Sequence, residues 1–198
     1  MSGDAELLEA WRGGDRDAGD QLIQKHFSSV CRFFRNRLGD DVEDLVQRTF
    51  LDCVEKRDKV SSESFRGYLF SIARNRLFDH LRTAYRQPAQ VDLGSHSVAD
   101  LGTSPSGIAA RNEEEALLQR AMRSVSIDHQ IALELAYWEG LSGRDIAAVL
   151  DIAENTVRSR LARARDALRS QVERLAAEPR LRQTTLQSLD AQFQKSEL

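Results

Sequence analysis

Residues 141–168 read LSGRDIAAVLDIAENTVRSRLARARDAL, and they predict two amphipathic helices separated by a tight turn. At about 100° per residue, the apolar side chains of the second helix fall on one stripe, formed by Val157, Leu161, Ala164 and Leu168. In the first helix Ser142 occupies the N-cap position, and the buried stripe is Ile146, Ala147 and Leu150. A short helix, a turn and a second helix at this spacing predict a helix-turn-helix.

The exposed face of the second helix has the shape that a DNA groove accepts. Its middle carries small or short residues, which are Asn155, Ser159, Ala162 and Asp166. Its margins are cationic, with Arg158, Arg165 and Arg169 on one side and Arg160 and Arg163 on the other. Short side chains permit close approach to the major groove, while arginines reach guanine edges and phosphates. A solvated, arginine-rich helix in a bundle would carry the same charges, but the preceding helix and turn favour DNA binding.

Composition limits the remaining possibilities. The chain has 198 residues, 41% of them apolar and 30% charged, which suffices for one medium core or two small ones. Amphipathic helical stretches dominate and no sustained alternation occurs, so we expect an all-α fold. The net charge of −3 argues against a protein that coats nucleic acid indiscriminately.

Features that are missing from the sequence bear on the location of the protein and on its cofactors. No apolar run is long enough to span a bilayer, and MSGDAELLEAW lacks the order of a signal peptide, so we expect a cytoplasmic protein. Cys31 and Cys53 stand alone in apolar helical patterns, which predicts reduced, buried thiols. We expect no metal and no cofactor, because no Cys/His cluster is present.

We expect two helical domains joined by a flexible linker. The first domain spans residues 1–87, the acidic linker spans residues 88–112 and the helix-turn-helix domain spans residues 113–175. The segment QPAQVDLGSHSVADLGTSPSG (87–107) has two prolines and three glycines, and even its aspartates are expected to be unstructured. Residues 176–198 form a polar tail, expected to be disordered or regulatory. The alternative is a short docking helix with Leu186, Leu189 and Phe193 on one face.

Residues 64–82, SFRGYLFSIARNRLFDHLR, combine positive charge with aromatic side chains. The predicted buried stripe is Phe65, Leu69, Ile72 and Ala73, and the cations are Arg66, Arg74, Arg76 and Arg82. Interleaved with these cations are Phe65, Tyr68, Phe70 and Phe78. Cations with exposed rings can hold a single nucleic acid strand by its backbone and its unstacked bases. A helix interior accounts for aromatic stripes equally well, and Phe65 fits that interpretation better than Tyr68.

Residues 39–56, GDDVEDLVQRTFLDCVEK, predict a helix with one apolar and one acidic face. The apolar face is Val42, Leu45, Val46, Thr49 and Cys53, and the acids are Asp41, Asp44, Asp52 and Glu55. Such a face suits a basic partner surface, or is an ordinary solvated flank. No histidine, lysine or metal ligand converges on these carboxylates, and the sequence has no phosphate loop or nucleophile motif. We therefore do not expect an enzyme.

Four segments in order resemble the extracytoplasmic-function family of bacterial RNA polymerase sigma factors. They are AWRGGDRDAGDQLIQKHFSSVCRFFRNRLGD (10–40), DVEDLVQRTFLDCVE (41–55), FRGYLFSIARNRLFDHLR (65–82) and YWEGLSGRDIAAVLDIAENTVRSRLARARDAL (137–168). The match spans both helical blocks and is far more specific than a helix-turn-helix alone. The resemblance implies that the first domain binds the clamp-helices coiled coil of core RNA polymerase and melts the promoter minus-ten element. The second domain would read the minus-thirty-five element.

The resemblance also implies a role for individual residues. The polymerase contacts would be Asp41, Asp44, Gln47 and Arg48. The minus-ten contacts would be Ser61, Ser62, Phe65, Arg66, Tyr68, Arg74 and Asn75, with the loop 57–64 pocketing a flipped-out base. The minus-thirty-five contacts would be Asn155, Arg158, Ser159, Ala162, Arg163 and Arg165. The chain departs from the family at Arg48, where an acid is usual, and at Tyr68, where Trp is usual.

Partners and control follow from the same resemblance. It implies core RNA polymerase, promoter DNA and an anti-sigma factor or other regulator as partners, and it places the acidic linker near the RNA-exit path. Thr49, beside Arg48, is a weak candidate for phosphorylation, which would add roughly −2 charge, although the helical wheel points it inward. Two other classes stay open on the residues alone. One is a DNA-binding regulator whose first block senses a ligand, and the other is a helical adaptor that never touches DNA.

Overall fold

The computed structural model describes residues 3–59, 65–85, 92–99 and 112–194. These ranges contain nine α-helices and no β-strand, so the prediction of an all-α fold is confirmed. The helices are α1 (Asp4–Arg12), α2 (Arg16–Leu38), α3 (Glu43–Glu55), α4 (Phe65–Ala84), α5 (Glu113–Arg123), α6 (Ile127–Leu133), α7 (Gly143–Leu150), α8 (Glu154–Leu175) and α9 (Pro179–Gln194). A π-helical turn, Glu134–Trp138, continues α6, and short 3₁₀ turns cover Arg57–Lys59 and Leu93–Ser95.

Helices α1 to α4 pack around a core of aromatic side chains. Phe33 of α2 makes an edge contact with Phe34 at 5.4 Å between ring centroids and a tilted contact with Phe70 of α4 at 5.7 Å. All three rings are fully buried. The N-terminus of α2 is capped by Asp15, whose side chain accepts a hydrogen bond from the Ala18 amide. This core fixes α3 and α4, which carry the predicted partner surfaces, on one scaffold.

Helices α7 and α8 form the helix-turn-helix. Ser142 caps α7 by accepting a hydrogen bond from the Asp145 amide at 3.2 Å. Asp151 ends α7 in the left-handed region, with φ of 54°, a conformation that Asp tolerates better than most residues. The predicted apolar stripes of both helices are buried, as Ile146, Ala147, Leu150, Val157, Leu161, Ala164 and Leu168. The helix-turn-helix prediction is therefore confirmed.

Part of the predicted linker is packed against the second domain. In the described segment 92–99, Leu93 and Val98 are buried. Asp92 caps the 3₁₀ turn through a hydrogen bond from the Gly94 amide at 3.1 Å. The backbone of His96 accepts a hydrogen bond from Ile127 at 2.9 Å. The expectation of an unstructured linker is thus wrong for this segment, because its two apolar side chains are buried in the core.

Most of the predicted tail is a docked helix. Leu189 and Phe193 of α9 are buried, and the Phe193 ring lies 4.6 Å from that of Tyr137. Asp190 receives two hydrogen bonds from Arg169, at 2.6 and 3.1 Å. Residues 179–194 are therefore ordered against the helix-turn-helix domain and not disordered, since their apolar stripe finds a partner. The positions after 194 lie outside the described residues.

The two helical domains contact each other directly. Helix α4 packs against α7, and α2 contacts α5. None of the described helices combines the length and the apolar character needed to cross a bilayer.

Candidate functional site

The N-terminal half of α8 displays the predicted DNA-reading face. Asn155, Arg158, Ser159 and Arg163 are exposed, and Ala162 and Arg165 are half-buried. Arg158 and Arg165 make no hydrogen bond or ion pair with any residue that the structure describes, and Arg163 bonds only to the Ser159 carbonyl at 3.3 Å. Three guanidinium groups are thus available to an anionic ligand. The positions between them carry the short side chains of Ser159 and Ala162.

The other two arginines predicted on the margins of that helix are already engaged. Arg160 donates a hydrogen bond to Asp128 at 2.9 Å, and Arg169 pairs with Asp190. The five cations predicted on the margins therefore divide into three open ones and two that bind carboxylates of the same chain.

The cationic surface predicted on α4 is paired throughout. Arg66 binds Glu139 at 3.0 Å and Arg74 binds Asp128 at 3.1 Å, both across the domain boundary. Within the first domain, Arg76 binds Asp52 and Arg82 lies 3.6 Å from Asp79. The partners of Arg66, Arg74 and Arg76 lie outside α4, so counting charges along the helix could not reveal them. The Arg82–Asp79 pair lies within α4 itself. The expected free basic face is wrong for this conformation.

The aromatic side chains of α4 are mostly core. Phe65 is 2% exposed, with its ring 5.6 Å from that of His26, so DNA bases cannot reach it in this conformation. Phe70 and Phe78 are also buried. Tyr68 is half-buried, and burial is the main reason that its pKa is raised. Asn75 is exposed.

The exposed flank of α3 retains its predicted character only in part. Asp41, Asp44, Gln47 and Arg48 are all exposed. Arg48 donates to Asp44 at 3.0 Å, and as an exposed pair at i,i+4 this interaction is worth about 0.3–0.5 kcal/mol. Asp52, predicted to join this flank, instead binds Arg76. The flank is therefore less acidic than its sequence suggests. Ser61 and Ser62, in the loop that the resemblance assigns to base pocketing, lie outside the described residues.

Two exposed apolar residues next to that flank were missed by the sequence analysis. Leu51 is 52% exposed and follows Gln47 by one helical turn. Phe27 of α2 is 50% exposed and stacks on Phe50, with 5.9 Å between ring centroids. The sequence did contain a signal for Leu51, because this leucine lies outside the predicted apolar stripe of α3. Phe27 stacks on Phe50 of α3, and Leu51 is the next residue of that helix; these two exposed side chains are called the apolar patch below.

Comparison with known proteins accounts for both halves of this arrangement. Residues 22–87 match the family described as sigma-70 region 2, and residues 115–168 match sigma-70 region 4. The RNA polymerase sigma-H factor of Pseudomonas aeruginosa is 30% identical over 189 residues, covering 88% of this chain and 96% of that protein. This chain is an extracytoplasmic-function sigma factor of the sigma-70 family. The sigma factor named SigM of Mycobacterium tuberculosis is 33% identical over 170 residues, or 82% of this chain and 81% of the relative.

Solved structures share the fold of this sigma factor. The structure of CnrH in complex with the cytosolic domain of CnrY aligns with a TM-score of 0.62 at 23% identity, covering 87% of this chain and 99% of CnrH. The sigma factor RpoE of Bartonella quintana, solved with the anti-sigma factor NepR, aligns with a TM-score of 0.59 at 24% identity, over 78% of this chain and 96% of RpoE.

Membership of the family establishes the general function. The protein is a sigma factor, and sigma factors direct RNA polymerase to initiate transcription at specific promoters; as a class they are not enzymes. The first matched region covers most of α2 and all of α3 and α4. The second covers most of α5, all of α6 and α7 and the N-terminal part of α8, whereas α1 and α9 lie outside both regions. The described residues contain no group of His, Cys, Asp and Glu that could hold a metal ion.

Thr49 of the sigma factor is inaccessible. Its side chain is fully buried, and its hydroxyl donates to the Leu45 carbonyl at 2.7 Å. Phosphorylation would require a dianion in the core between α3 and α4, so the folded chain does not offer this site to a kinase. Cys53 lies in the same core, where burial, assisted by Asp52, raises the pKa of its thiol to about 12. Cys31 is half-buried rather than buried, and both thiols are free.

Proposed function

We propose that this sigma factor reads the minus-thirty-five element with α8, melts the minus-ten element with α4 and its preceding loop, and binds core polymerase through α3. The observation that carries the proposal is the exposed N-terminal face of α8. It combines three cations not bound to carboxylates with small residues between them, at the end of a well-formed helix-turn-helix. Nucleic acid recognition requires this combination of close approach and positive charge.

Arg158 and Arg163 would carry different parts of the upstream contact. Each projects from an exposed position, and two short side chains, Ser159 and Ala162, lie between them. One guanidinium reaching a base edge supplies sequence preference, while others on phosphates supply affinity and register. Asn155 and Arg165 extend the same face by one turn in either direction and complete the proposed contact set.

The polymerase contact would use the α3 flank together with the apolar patch. Asp41, Asp44 and Gln47 supply polar groups, and Phe27 and Leu51 supply apolar area that water otherwise covers. A partner surface that is basic at its rim and apolar at its centre fits this pattern. Arg48 reduces the acidic character of the flank, so the apolar patch carries more of the affinity here.

The minus-ten contact would need a rearrangement of α4. Asn75 is already exposed, and Tyr68 is half-exposed. Arg66 and Arg74 can bind a nucleic acid backbone only after leaving Glu139 and Asp128. Ser61 and Ser62 would contribute from the preceding loop. Phe65 would support this surface from the core and not touch bases.

Partners and location complete the proposal. Two similar structures contain CnrH with CnrY and RpoE with NepR. We extend that pattern and propose an anti-sigma factor, or another regulator, as a partner of this chain. The sigma factor would act in the cytoplasm, where RNA polymerase works, and would have no catalytic activity of its own because the chemistry of transcription belongs to the polymerase.

A crossed pair of variants tests the division of labour. Arg158→Ala should weaken recognition of the upstream element by about 1–3 kcal/mol, or about 5- to 150-fold, and leave core polymerase binding unchanged. Asp44→Arg should weaken binding to core polymerase and leave the upstream contact intact once holoenzyme forms. Arg180→Ala, which removes an exposed arginine of α9, is the matched control. Equal loss of both activities from Arg158→Ala and from Asp44→Arg would contradict the assignment.

A further inference from the structure

Three carboxylates of the second domain bind four arginines of the first. Asp128, Glu134 and Glu139 lie on α6, the π-helical turn and the residue that follows it. They receive Arg32 and Arg37 of α2 and Arg66 and Arg74 of α4. The set is one-sided, with all of the acids on one domain and all of the cations on the other. Such an arrangement fixes how two domains dock in the way that complementary charge fixes two partners.

Asp128 lies at the centre of this contact. Its Oδ1 accepts a hydrogen bond from Arg74 at 3.1 Å, and its Oδ2 accepts one from Arg160 at 2.9 Å. Arg74 belongs to the proposed melting helix and Arg160 to the recognition helix. One carboxylate therefore holds a cation of each DNA-binding helix at the same time.

Glu139 and Glu134 extend the contact toward α2. Glu139, whose side chain is 4% exposed, binds Arg66 at 3.0 Å and also binds Arg32. The Arg66 guanidinium additionally donates to the Glu139 backbone carbonyl. Glu134 pairs with the buried Arg37 at 2.8 Å. Arg66 is thus held by both the side chain and the main chain of one residue, and it cannot meet a phosphate without releasing both.

The ordered linker segment packs closely against Asp128. A Cβ atom on Gly94 would lie 2.6 Å from Oδ2 of Asp128, so only glycine permits this approach. Leu93 is buried, and the Ile127 amide, next to Asp128, bonds to His96. The linker segment therefore packs directly against the carboxylate that receives Arg74 and Arg160.

A pocket open to solvent lies at the interface between the domains. A cavity of about 260 Å³ lies between α2, α5 and α6, lined by Arg37, Met122 and Trp138 among others. Nε and Nη2 of Arg37 are buried without a hydrogen-bond partner among the described residues. Contacts between domains of one chain resemble transient interfaces, so relative motion of the two domains is the expected behaviour.

We propose that Asp128 and Glu139 compete with nucleic acid for Arg66 and Arg74 of α4, so that the free chain is closed and the minus-ten surface is masked by its own second domain. Glu134 strengthens the same closed arrangement by binding Arg37 of α2. The two carboxylates fill hydrogen-bonding positions on Arg66 and Arg74 that phosphates would take once the domains separate. The masking consequence rests on the proposed function of α4, whereas the closed arrangement does not.

Two variants weaken the contact by different means. Asp128→Asn keeps the size of the side chain but removes the charge that Arg74 and Arg160 share. Gly94→Val changes no charge and instead pushes a side chain into the Asp128 carboxylate. The control is Asp20→Asn, an exposed carboxylate of α2 with no partner among the described residues, which alters net charge by the same amount as Asp128→Asn. Circular dichroism verifies that each variant is folded.

Two readouts are taken on the full chain without polymerase. Small-angle X-ray scattering gives the radius of gyration, and fluorescence anisotropy of a labelled single-stranded oligonucleotide gives DNA affinity at fixed salt. We expect both Asp128→Asn and Gly94→Val to increase the radius and to strengthen oligonucleotide binding by about fivefold or more, because the binding-competent fraction rises. Asp20→Asn should change neither.

The outcomes separate the two proposals. An unchanged radius in Asp128→Asn, or a gain in affinity no larger than that of Asp20→Asn, would overturn the closed arrangement. If Gly94→Val fails to fold, Glu139→Gln takes its place and must show the same two changes. A larger radius without any gain in oligonucleotide binding would show that the chain opens but that α4 is not the nucleic acid surface, which would count against the proposed function and against masking.

Discussion

Replacing Phe193 by alanine should undock α9 without unfolding the rest of the sigma factor. Phe193 and Leu189 are its buried apolar anchors, and burying such a side chain contributes about 1.5–3 kcal/mol each. The Arg169–Asp190 pair is half-exposed and adds only about 0.2–1 kcal/mol. An isolated helix of this length is marginal in water, so most of the stability of α9 comes from docking.

Phe193→Ala therefore removes about half of the apolar contribution, or about 1.5–3 kcal/mol. That loss should speed the exchange of α9 backbone amides by about 10- to 150-fold, measured by hydrogen exchange with mass spectrometry. Amides of α2 and α4 should exchange as in the unmodified chain, because α9 packs mainly against α5 and α8 of the second domain. Gln187→Ala, at an exposed position of the same helix, is the control. Faster exchange throughout the chain in Phe193→Ala, or an α9 that is unprotected before any substitution, would refute the reasoning.

Three further predictions concern buried groups of the first domain. Thr49→Val should change the free energy of unfolding by less than about 1.5 kcal/mol, whereas Thr49→Glu should cost several times as much because it buries a charge, and thermal denaturation would separate the two. Cys53 should resist a thiol reagent at pH 8 in the folded chain, because its pKa is raised to about 12, while Cys31 should react first; equal rates would contradict the burial of Cys53. The pKa of His26 is lowered by burial despite the Asp4 carboxylate 2.9 Å away, so stability should be fully present above the ordinary value of 6.5 and fall as pH drops below it. His26→Gln should reduce that slope by up to about 1.4 kcal/mol per pH unit in urea titrations, and an unchanged slope would contradict it.

The helices of this protein could be predicted from local sequence patterns. The stripe of Val157, Leu161 and Ala164 identified α8, and the N-cap at Ser142 identified the start of α7, because both signals act within one or two turns of chain. The exposed face of α8 followed from the same periodicity. Family resemblance then supplied the division into two domains with different ligands.

Long-range pairing was not accessible to the same reasoning. Arg74 and Asp128 are 54 positions apart, and Arg66 and Glu139 are 73 positions apart. The spacing of residues along α4 therefore could not predict these contacts. Leu93 looked like an isolated apolar residue in a linker, yet it is buried against elements that are distant in sequence. The tail was uncertain for the same reason, since an amphipathic stripe on α9 is stable only if a complementary surface exists elsewhere.

The most direct test of the account is abortive transcription with purified core RNA polymerase, with and without this protein, on a pool of upstream DNA fragments from the host. Initiation that appears only when the protein is present is the predicted result, and the transcribed fragments would reveal its promoter. A protein that binds duplex DNA by itself but never supports initiation by core polymerase would contradict the account and identify a conventional DNA-binding regulator instead.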